Sequence, residues 1–268
     1  MKRWIKKILP KKILQHYRDQ KAEKRKLEFE KSIKGDNVLC PICNSTFSTF
    51  GNFGLIERSN AFCYNCESLE RHRLLFLYLK ENTDLFSEHE RPVRLLHFAP
   101  EKAFFDFFSK ISGLEYYPCD IFPEKYNFDL KIKVYKVDIT NIPFDDNYFD
   151  YILCNHVLEH IPDDTLAMSE LYRVMSKKGS GIFQVPIDYT RQTTYEDWSI
   201  TTPEEREKAF GQNDHVRWYG RDYNRRLEKT GFILDEIDFV SKFSIDNIFK
   251  YGLDKTETIY LCRKINNL

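Results

Sequence analysis

Residues 138–161 have the sequence DITNIPFDDNYFDYILCNHVLEHI, in which the run 149–154, apolar apart from Asp150, lies between polar segments. A run of this length between polar segments is typical of a strand. Asp138 follows the preceding apolar run, and Asn155 comes directly after this one. In a parallel sheet the carboxyl ends of neighbouring strands meet at one edge, where ligands bind. The stretch therefore predicts both a parallel sheet and the position of its ligand site.

Strand and helix patterns alternate on both sides of this stretch, which indicates a parallel α/β sheet. One of the helices is expected to begin near Pro162 and to end at Gly179. The last two strands are separated by only about 18 residues, too few for a usual crossover helix, so they are expected to pair antiparallel. Seven strands are predicted, over residues 93–98, 114–119, 134–137, 149–154, 181–185, 232–239 and 258–263. The predicted fold is α/β, a Rossmann-like seven-stranded sheet over residues 92–268 with an insert at about 186–220.

Four cysteines precede the sheet with the spacing C-x2-C-x19-C-x2-C. Each C-x2-C turn presents two sulfurs to one point, and four thiolates satisfy the tetrahedral preference of zinc with no position left open. A structural zinc ion is therefore expected in a small knuckle module over residues 35–80, which ends in a connecting helix. Two redox dithiols, or four unrelated cysteines, are the alternatives. The expected ligands are Cys40, Cys43, Cys63 and Cys66.

The charge of the chain is zero overall but unevenly distributed. Residues 1–34 hold 13 Lys and Arg against 4 Asp and Glu, whereas the remaining residues hold 28 against 37. The basic leader, 1–34, is expected to be helical, and its first 17 residues have an amphipathic pattern suited to weak contact with an anionic membrane surface. Docking of this helix on the protein or on a partner is the alternative. The acidic remainder is a poor footprint for broad nucleic-acid contact.

The sequence contains no apolar run long enough for a transmembrane helix, and its lysine-interrupted start does not resemble a signal peptide. We therefore expect a cytoplasmic protein, with peripheral attachment to the inner face of the membrane as an option. In that compartment its 7 cysteines would stay reduced.

Acidic and polar side chains follow the predicted strands in order. Asp120 follows the second strand and Asp138 the third, while His97 and Asn155 lie at the ends of the first and fourth. Two successive carboxylates at a strand edge suit a nucleoside, because the first can accept both ribose hydroxyls and the second an adenine amino group.

The chain resembles the class I S-adenosylmethionine-dependent methyltransferases of the type 11 group over about residues 92–264. Residues 138–150 are similar to the D-x-x-x-L-P-F-x-D-x-S-F-D stretch of that group. Further similar stretches are NHVLEHI at 155–161, ELYRVMSKKG at 170–179 and DHVRWYG at 214–220. CYNCESLERHR at 63–73, together with LHFAPE at 96–101, looks like a subgroup with a zinc-ribbon-like module.

The resemblance implies S-adenosylmethionine as the cofactor, with one departure from the family pattern. The family's first motif is an acidic residue followed by G-x-G-x-G, whereas His97, Ala99 and Glu101 occupy the acid and first two glycine positions here. Ala99 is small enough to allow close approach of the cofactor, and Glu101 could reach its ammonium group. The implied cofactor residues are His97, Ala99, Glu101, Asp120, Asp138, Ile139 and Asn155.

The implied reaction moves a methyl group to an oxygen or nitrogen of a small molecule or a sugar. His156 and His215 are the candidate bases, because the resemblance places both at the pocket rim. An RNA methyltransferase and a non-enzymatic binding module are the alternatives. The H-x-x-E-H pattern at 156–160 also occurs in zinc proteases, but Pro162 disfavours the uninterrupted helix which that motif needs. Residues 71–73 could bind a phosphate or carboxylate, or form a salt-bridged surface.

Overall fold

The computed structural model describes residues 23–54, 57–87, 91–128 and 132–264. The segment expected to contact a membrane, residues 1–17, lies outside these ranges. Helix α1 covers residues 23–33 of the described part. None of the helices in the described ranges is long and apolar enough to cross a membrane.

The cysteine module consists of two short antiparallel hairpins and one helix. Strand β1 pairs with β2, and β3 pairs with β4. The hairpins place the two C-x2-C turns side by side, and the helix then leads into the large sheet. The bounds are β1 (Val38–Leu39), β2 (Thr46–Phe47), β3 (Gly51–Phe53), β4 (Arg58–Phe62) and α2 (Glu70–Asn82).

The remainder of the described chain forms one seven-stranded sheet with helices and a separate two-stranded sheet, β10 with β11. Its elements are β5 (Val93–Phe98), α3 (Lys102–Phe108), β6 (Leu114–Asp120), β7 (Tyr135–Lys136), β8 (Phe149–Asn155), α4 (Asp164–Val174), β9 (Met175–Gln184), β10 (Tyr195–Glu196), α5 (Pro203–Phe210), β11 (Arg217–Trp218), α6 (Tyr223–Lys229), β12 (Phe232–Ile237), α7 (Ile245–Tyr251) and β13 (Ile259–Lys264). The sheet order is β12-β13-β9-β8-β5-β6-β7, with β13 antiparallel to both of its neighbours and the other pairs parallel. The predicted fold class is confirmed, including the antiparallel pairing of the last two strands.

Two elements differ from the sequence-based expectation. Helix α4 ends at Val174, not at Gly179, and β9 begins at the next residue. The register of β9 against β8 shifts between Phe149 and Tyr151, so the lysines before Gly179 lie on an irregular strand. The connection between the last two strands also contains a helix, α7. It packs against β1 of the cysteine module instead of crossing the sheet, so it leaves the antiparallel pairing unaffected.

The cysteine module and the sheet share one hydrophobic core. Val38 and Leu74 of the module belong to the same buried cluster as Leu95 of β5 and Phe104 of α3. The two predicted units therefore pack against each other through this cluster.

Arg73 connects the helix of the cysteine module to the C-terminal end of α7 through hydrogen bonds. Its side chain is completely buried. Its guanidinium group donates to the carbonyl oxygens of Ser68 at 2.9 Å, Tyr251 at 2.6 Å and Gly252 at 2.6 Å. Gly252 has a φ of 56°, and a Cβ there would lie 2.7 Å from Nη2 of Arg73, so only glycine allows this approach. Arg73 is thus a structural cation and not part of a ligand-binding surface.

Replacing Arg73 tests this junction. We expect Arg73→Ala to lower the free energy of unfolding by about 3 kcal/mol or more, because several buried carbonyl groups lose a charged donor. Arg91→Ala is the matched control, since the ion pair of Arg91 with Asp150 is exposed on the arginine side and should contribute less than about 1 kcal/mol. Urea unfolding curves of the two variants measure the difference. Equal midpoints would contradict the structural role of Arg73.

Candidate active site and metal centre

The four cysteines expected to bind zinc lie in one cluster. Their sulfur atoms are all within 4.8 Å of one another. The Sγ atoms of Cys40 and Cys66 are 3.6 Å apart, and those of Cys43 and Cys63 are 3.7 Å apart. Four sulfurs bound at 2.3 Å to one zinc ion lie about 3.8 Å apart at the edges of a tetrahedron. The two sulfur–sulfur distances therefore match the edges of a tetrahedral metal site.

The two C-x2-C turns repeat the same backbone geometry. The amide of Asn44 donates to the carbonyl of Cys40 at 2.9 Å, and the amide of Glu67 donates to the carbonyl of Cys63 at 2.9 Å. Asn44 and Glu67 both have positive φ angles, of 57° and 63°. Each turn thereby folds back on itself and directs both of its sulfurs to the same side.

The thiol groups of the cluster strongly affect one another. Hydrogen bonding with Cys40 lowers the pKa of the Cys43 thiol far below its usual range and raises that of the Cys66 thiol far above it. The hydroxyl of Ser68 lies 3.4 Å from the sulfur of Cys40 and 3.3 Å from that of Cys66. Four sulfurs this close can all be thiolates only if a cation balances their charge.

The first cavity lies at the carboxyl ends of β5, β6 and β7 and has a volume of about 230 Å³. Four of the seven predicted cofactor residues line it: Ala99, Asp120, Asp138 and Ile139. The cavity is bounded on the other side by Val157, Ile161 and Pro162, which follow β8. The strand-end rule thus located this cavity from the sequence.

The two aspartates of this cavity are held by local hydrogen bonds. Asp120 accepts from the amide of Phe122 at 2.8 Å and from the hydroxyl of Tyr126 at 2.7 Å. Asp138 accepts from the amide and the hydroxyl of Thr140 at 2.9 Å and 2.7 Å. Each carboxylate is therefore oriented at its strand end and keeps lone pairs for a ligand.

 The departure from the glycine pattern is visible in the backbone at Ala99. The φ of Ala99 is 47°, in the left-handed region that a residue with a Cβ adopts at a cost of about 1–2 kcal/mol. Its amide donates to the carbonyl of Cys119 at 2.9 Å, which fixes the turn between β5 and α3 against β6. The turn thus keeps the backbone shape that glycine normally provides, although alanine occupies the position.

The remaining predicted cofactor residues, His97, Glu101 and Asn155, form a hydrogen-bonded group next to the first cavity and do not line it. The Glu101 carboxylate lies 2.8 Å from Nε2 of His97 and 3.3 Å from Nδ2 of Asn155. Nδ1 of His97 is 2.9 Å from the hydroxyl of Tyr116, which can donate to it while Nε2–H donates to the carboxylate. Glu101 is thus connected to both central strands.

His72 of helix α2 reaches the same carboxylate. Its Nδ1 accepts from the amide of Leu69 at 3.1 Å, so in the neutral ring Nε2 carries the hydrogen, 3.6 Å from Oε1 of Glu101. Burial lowers the pKa of His72 to about 3, so this neutral form is the one present at pH 7. Burial alone would raise the pKa of Glu101, but the His97 hydrogen bond and the neighbouring imidazoles lower it to about 2. Glu101 is therefore a carboxylate at pH 7.

A second cavity, of about 290 Å³, lies next to the first at the same edge of the sheet. His156 lines it, whereas the next residue, Val157, lines the first cavity. Arg71, Gln184 and Glu257 contribute polar groups to its wall. Burial raises the pKa of the Glu257 carboxyl, and Gln184 donates to that carboxyl at 3.0 Å.

Sequence reasoning missed most of this second cavity. Arg71 was one of three possible ligand-binding residues, but Gln184 and Glu257 carried no motif that could have identified them. The structure separates Arg71 from its neighbours, since His72 and Arg73 are buried and serve the junction with the sheet.

The two histidines proposed as bases lie in different surroundings. His156 has a φ of 54°, and its Nδ1 lies 3.5 Å from Oε1 of Glu159. His215 is 8% exposed, donates from Nδ1 to the carbonyl of Phe210 at 3.1 Å, and lines neither of the two cavities described above. Burial lowers the pKa of His215.

The H-x-x-E-H pattern does not form the helix of a zinc protease. Strand β8 ends at Asn155, His156 has a left-handed backbone, and only a 3-10 turn, Leu158–His160, follows. The two histidines of the pattern are therefore not one helical turn apart on a common face.

Comparison with known proteins identifies a methyltransferase segment. Residues 102–183 match the family model described as a methyltransferase domain. The sterol 24-C-methyltransferase of Schizosaccharomyces pombe is 29% identical over 152 residues, which are 55% of this chain and 38% of the relative. The demethylmenaquinone methyltransferase of Staphylococcus carnosus is 37% identical over 51 residues, 19% of this chain and 21% of the relative. The chain thus spans well under half the length of the curated relatives it matches.

Among solved structures, the 1,6-didemethyltoxoflavin-N1-methyltransferase of Burkholderia thailandensis is similar with a TM-score of 0.44 and 12% identity, over 72% of this chain and 76% of that one. The family match begins at residue 102, directly after the segment in which Ala99 and Glu101 replace glycines. The sheet described above has the seven strands and the antiparallel last pair that the sequence predicted. Residues 102–183 thus resemble a methyltransferase domain, within a sheet of the fold class predicted from the sequence.

Proposed function

We propose that the protein is an S-adenosylmethionine-dependent methyltransferase. The observation that carries this proposal is the pair of oriented carboxylates, Asp120 and Asp138, on the wall of the first cavity at the ends of adjacent strands. The bound cofactor would supply an electrophilic methyl group on a sulfonium centre. The methyltransferase segment at residues 102–183 supports the same conclusion.

The walls of the first cavity suit the parts of this cofactor. Asp120 would accept hydrogen bonds from the ribose hydroxyls, and Asp138 from the adenine amino group. Ile139 would contact the adenine ring with its apolar side chain. Glu101, which remains a carboxylate at neutral pH, would attract the ammonium group from its position beside the cavity.

Replacing Asp120 tests cofactor binding. We expect Asp120→Ala to weaken binding of S-adenosylmethionine about 10- to 100-fold, because a charge-assisted hydrogen bond contributes about 1.5–3 kcal/mol. Asp145→Ala is the matched control, because Asp145 is exposed and does not line the first cavity. Titration calorimetry of both variants measures the affinities. Unchanged affinity in Asp120→Ala, with a folded protein, would refute the assigned role.

We propose that the second cavity binds the methyl acceptor and that this acceptor is a small polar molecule or one sugar unit. A volume of about 290 Å³ is at the lower end of the range of small-molecule pockets, roughly 300–1,000 Å³. Arg71, Gln184 and Glu257 offer both donors and acceptors, which suits hydroxyl or amine groups. The position next to the first cavity would bring the acceptor towards the cofactor.

His156 is the general base in this proposal. Its Nδ1 faces the carboxylate of Glu159, which favours a hydrogen on Nδ1 and leaves Nε2 able to accept a proton. Nε2 is buried and has no hydrogen-bond partner in the described part of the chain. A hydroxyl acceptor would need such a base as its oxygen attacks the methyl group.

A transfer assay tests the acceptor and the base together. The whole protein is incubated with methyl-labelled cofactor and, separately, with monosaccharides, small amines and RNA. We expect a small polar acceptor to be labelled, and His156→Gln to lower its rate about 10²- to 10⁴-fold without weakening cofactor binding. Salt-insensitive labelling of RNA would contradict the small-acceptor assignment, while an equal rate for His156→Gln would remove His156 as the base.

We also propose that Cys40, Cys43, Cys63 and Cys66 hold a structural zinc ion. The sulfur–sulfur distances match a tetrahedral site, and four protein ligands leave no position for a substrate. Because the module shares a core with the sheet, its zinc would also hold helix α2, and with it Arg71 and His72, in position.

Zinc content tests this second proposal. We expect protein purified without chelators to contain zinc at the cysteine cluster, and Cys63→Ser to lose one zinc ion per chain and to unfold at lower denaturant concentration. Cys262→Ala is the control, because Cys262 is buried in β13 away from the cluster and should not affect the zinc content. Elemental analysis and urea unfolding measure the two effects. Equal zinc content in the Cys63→Ser variant would disprove the assignment.

A further inference from the structure

A second group of metal-ligating side chains lies behind His156, and only one of its members, Glu159, contacts the base of the proposed reaction. Glu159 and His160 end the turn after β8, and His215 lies two residues before β11. One ligand atom of each of these three residues lies within 4.8 Å of those of the other two. The backbone joins the segments, since the amide of Val216 donates to the carbonyl of Glu159 at 2.9 Å.

The carboxylate of Glu159 has no hydrogen-bond partner within the described ranges of the chain. The residue is 1% exposed, and both carboxylate oxygens are buried without a donor among the described residues. Nδ1 of His156 lies 3.5 Å and Nε2 of His215 lies 4.0 Å from Oε1 of Glu159. A buried carboxylate without partners is strongly unfavourable, because it has lost its water and gained no donor in return. Its Oε1 atom instead faces the imidazoles of His156 and His215.

The imidazoles are oriented as metal ligands usually are. Nδ1 of His215 lies 3.1 Å from the carbonyl oxygen of Phe210, and Nδ1 of His160 lies 3.3 Å from that of Asp214. A carbonyl oxygen can only accept, so each Nδ1 carries the hydrogen and each neutral ring keeps its lone pair on Nε2. Metal-ligating histidines typically donate their other N–H to such a carbonyl or a carboxylate, and Nδ1 of His160 also lies 3.5 Å from the carboxylate of Asp214.

We propose that Glu159, His160 and His215 bind a divalent transition-metal ion, for which Zn²⁺ is the best fit. Two imidazole nitrogens and one carboxylate oxygen form a ligand set that zinc accepts with a fourth position left for water. In a tetrahedral zinc site with bonds of about 2.0–2.1 Å, the ligand atoms lie about 3.4 Å apart. Small side-chain rotations would bring atoms now within 4.8 Å to that spacing.

This site would differ from the cysteine cluster in both ligands and position. Its ligands are nitrogen and oxygen atoms, and one of them, Glu159, also faces the His156 ring that lines the second cavity. The ion would neutralise the buried carboxylate and join the insert, through His215, to the turn after β8. The proposal does not depend on methyl transfer, because it concerns metal binding alone.

The metal content of the whole protein tests the proposal. The protein is saturated with Zn²⁺, freed of excess metal by gel filtration and analysed for zinc per chain. We expect two zinc ions in the parent protein, one in Glu159→Gln and one in His215→Ala, with the cysteine cluster still loaded in both variants. Glu207→Gln on the exposed face of α5 is the matched control and should keep two ions. One zinc ion in the parent, or two in Glu159→Gln, would overturn the proposal.

Cobalt substitution separates the two sites if a variant folds poorly. In the Co²⁺-loaded parent we expect thiolate charge-transfer bands from the cysteine cluster together with ligand-field bands from the nitrogen and oxygen site. Cys63→Ser should lose the first and keep the second, and His160→Gln, at a partly exposed residue, should show the reverse. Ligand-field bands unchanged in His160→Gln would count against the proposal. If a proton and not a metal ion neutralised Glu159, the Co²⁺-loaded parent would show only the thiolate bands. That result would also contradict the proposal.

Discussion

The carboxylate of Glu101 is the contact on which the arrangement of the site depends. It is held by His97 of β5 and Asn155 of β8, and His72 of α2 faces it from the cysteine module. One negative charge therefore joins the two central strands to a helix from outside the sheet. The pattern of the family that the sequence resembles has a glycine at this position, whereas this chain has a carboxylate side chain. The hydrogen bonds and neighbouring imidazoles that keep its pKa near 2 also ensure that this charge persists at neutral pH.

The cysteine module consequently belongs to the site and is not a separate attachment. Its helix α2 contributes His72 to the Glu101 group, Arg71 to the second cavity, and Arg73 to the carbonyl groups that follow α7. Three successive residues thus have three different tasks, because a helix turns each side chain by about 100° relative to the preceding one. A zinc ion that holds the cysteine turns would, through this helix, also affect the shape of the second cavity.

The insert between β9 and β12 contributes to the same edge of the sheet. Arg217 of β11 is buried and donates to the carbonyl groups of Leu158, Ile161 and Pro162, which covers the turn after β8. His215 lies next to this anchor and faces the unpaired carboxylate of Glu159. The first cavity, the second cavity and the Glu159 group therefore surround one turn, residues 156–162.

The sequence by itself determined the features that depend on local spacing. The spacing of the two C-x2-C pairs predicted that their four sulfurs form one metal site. The strand pattern placed Asp120 and Asp138 at strand ends, because a strand and the residue after it depend on neighbouring positions. Only the tertiary structure decided which distant residues meet. Glu101 was expected near the cofactor, but its contact with His72 depends on how α2 packs on the sheet, and the position of His215 beside Glu159 depends on the path of the insert. Such contacts join segments tens of residues apart, and no periodic pattern or short motif encodes them.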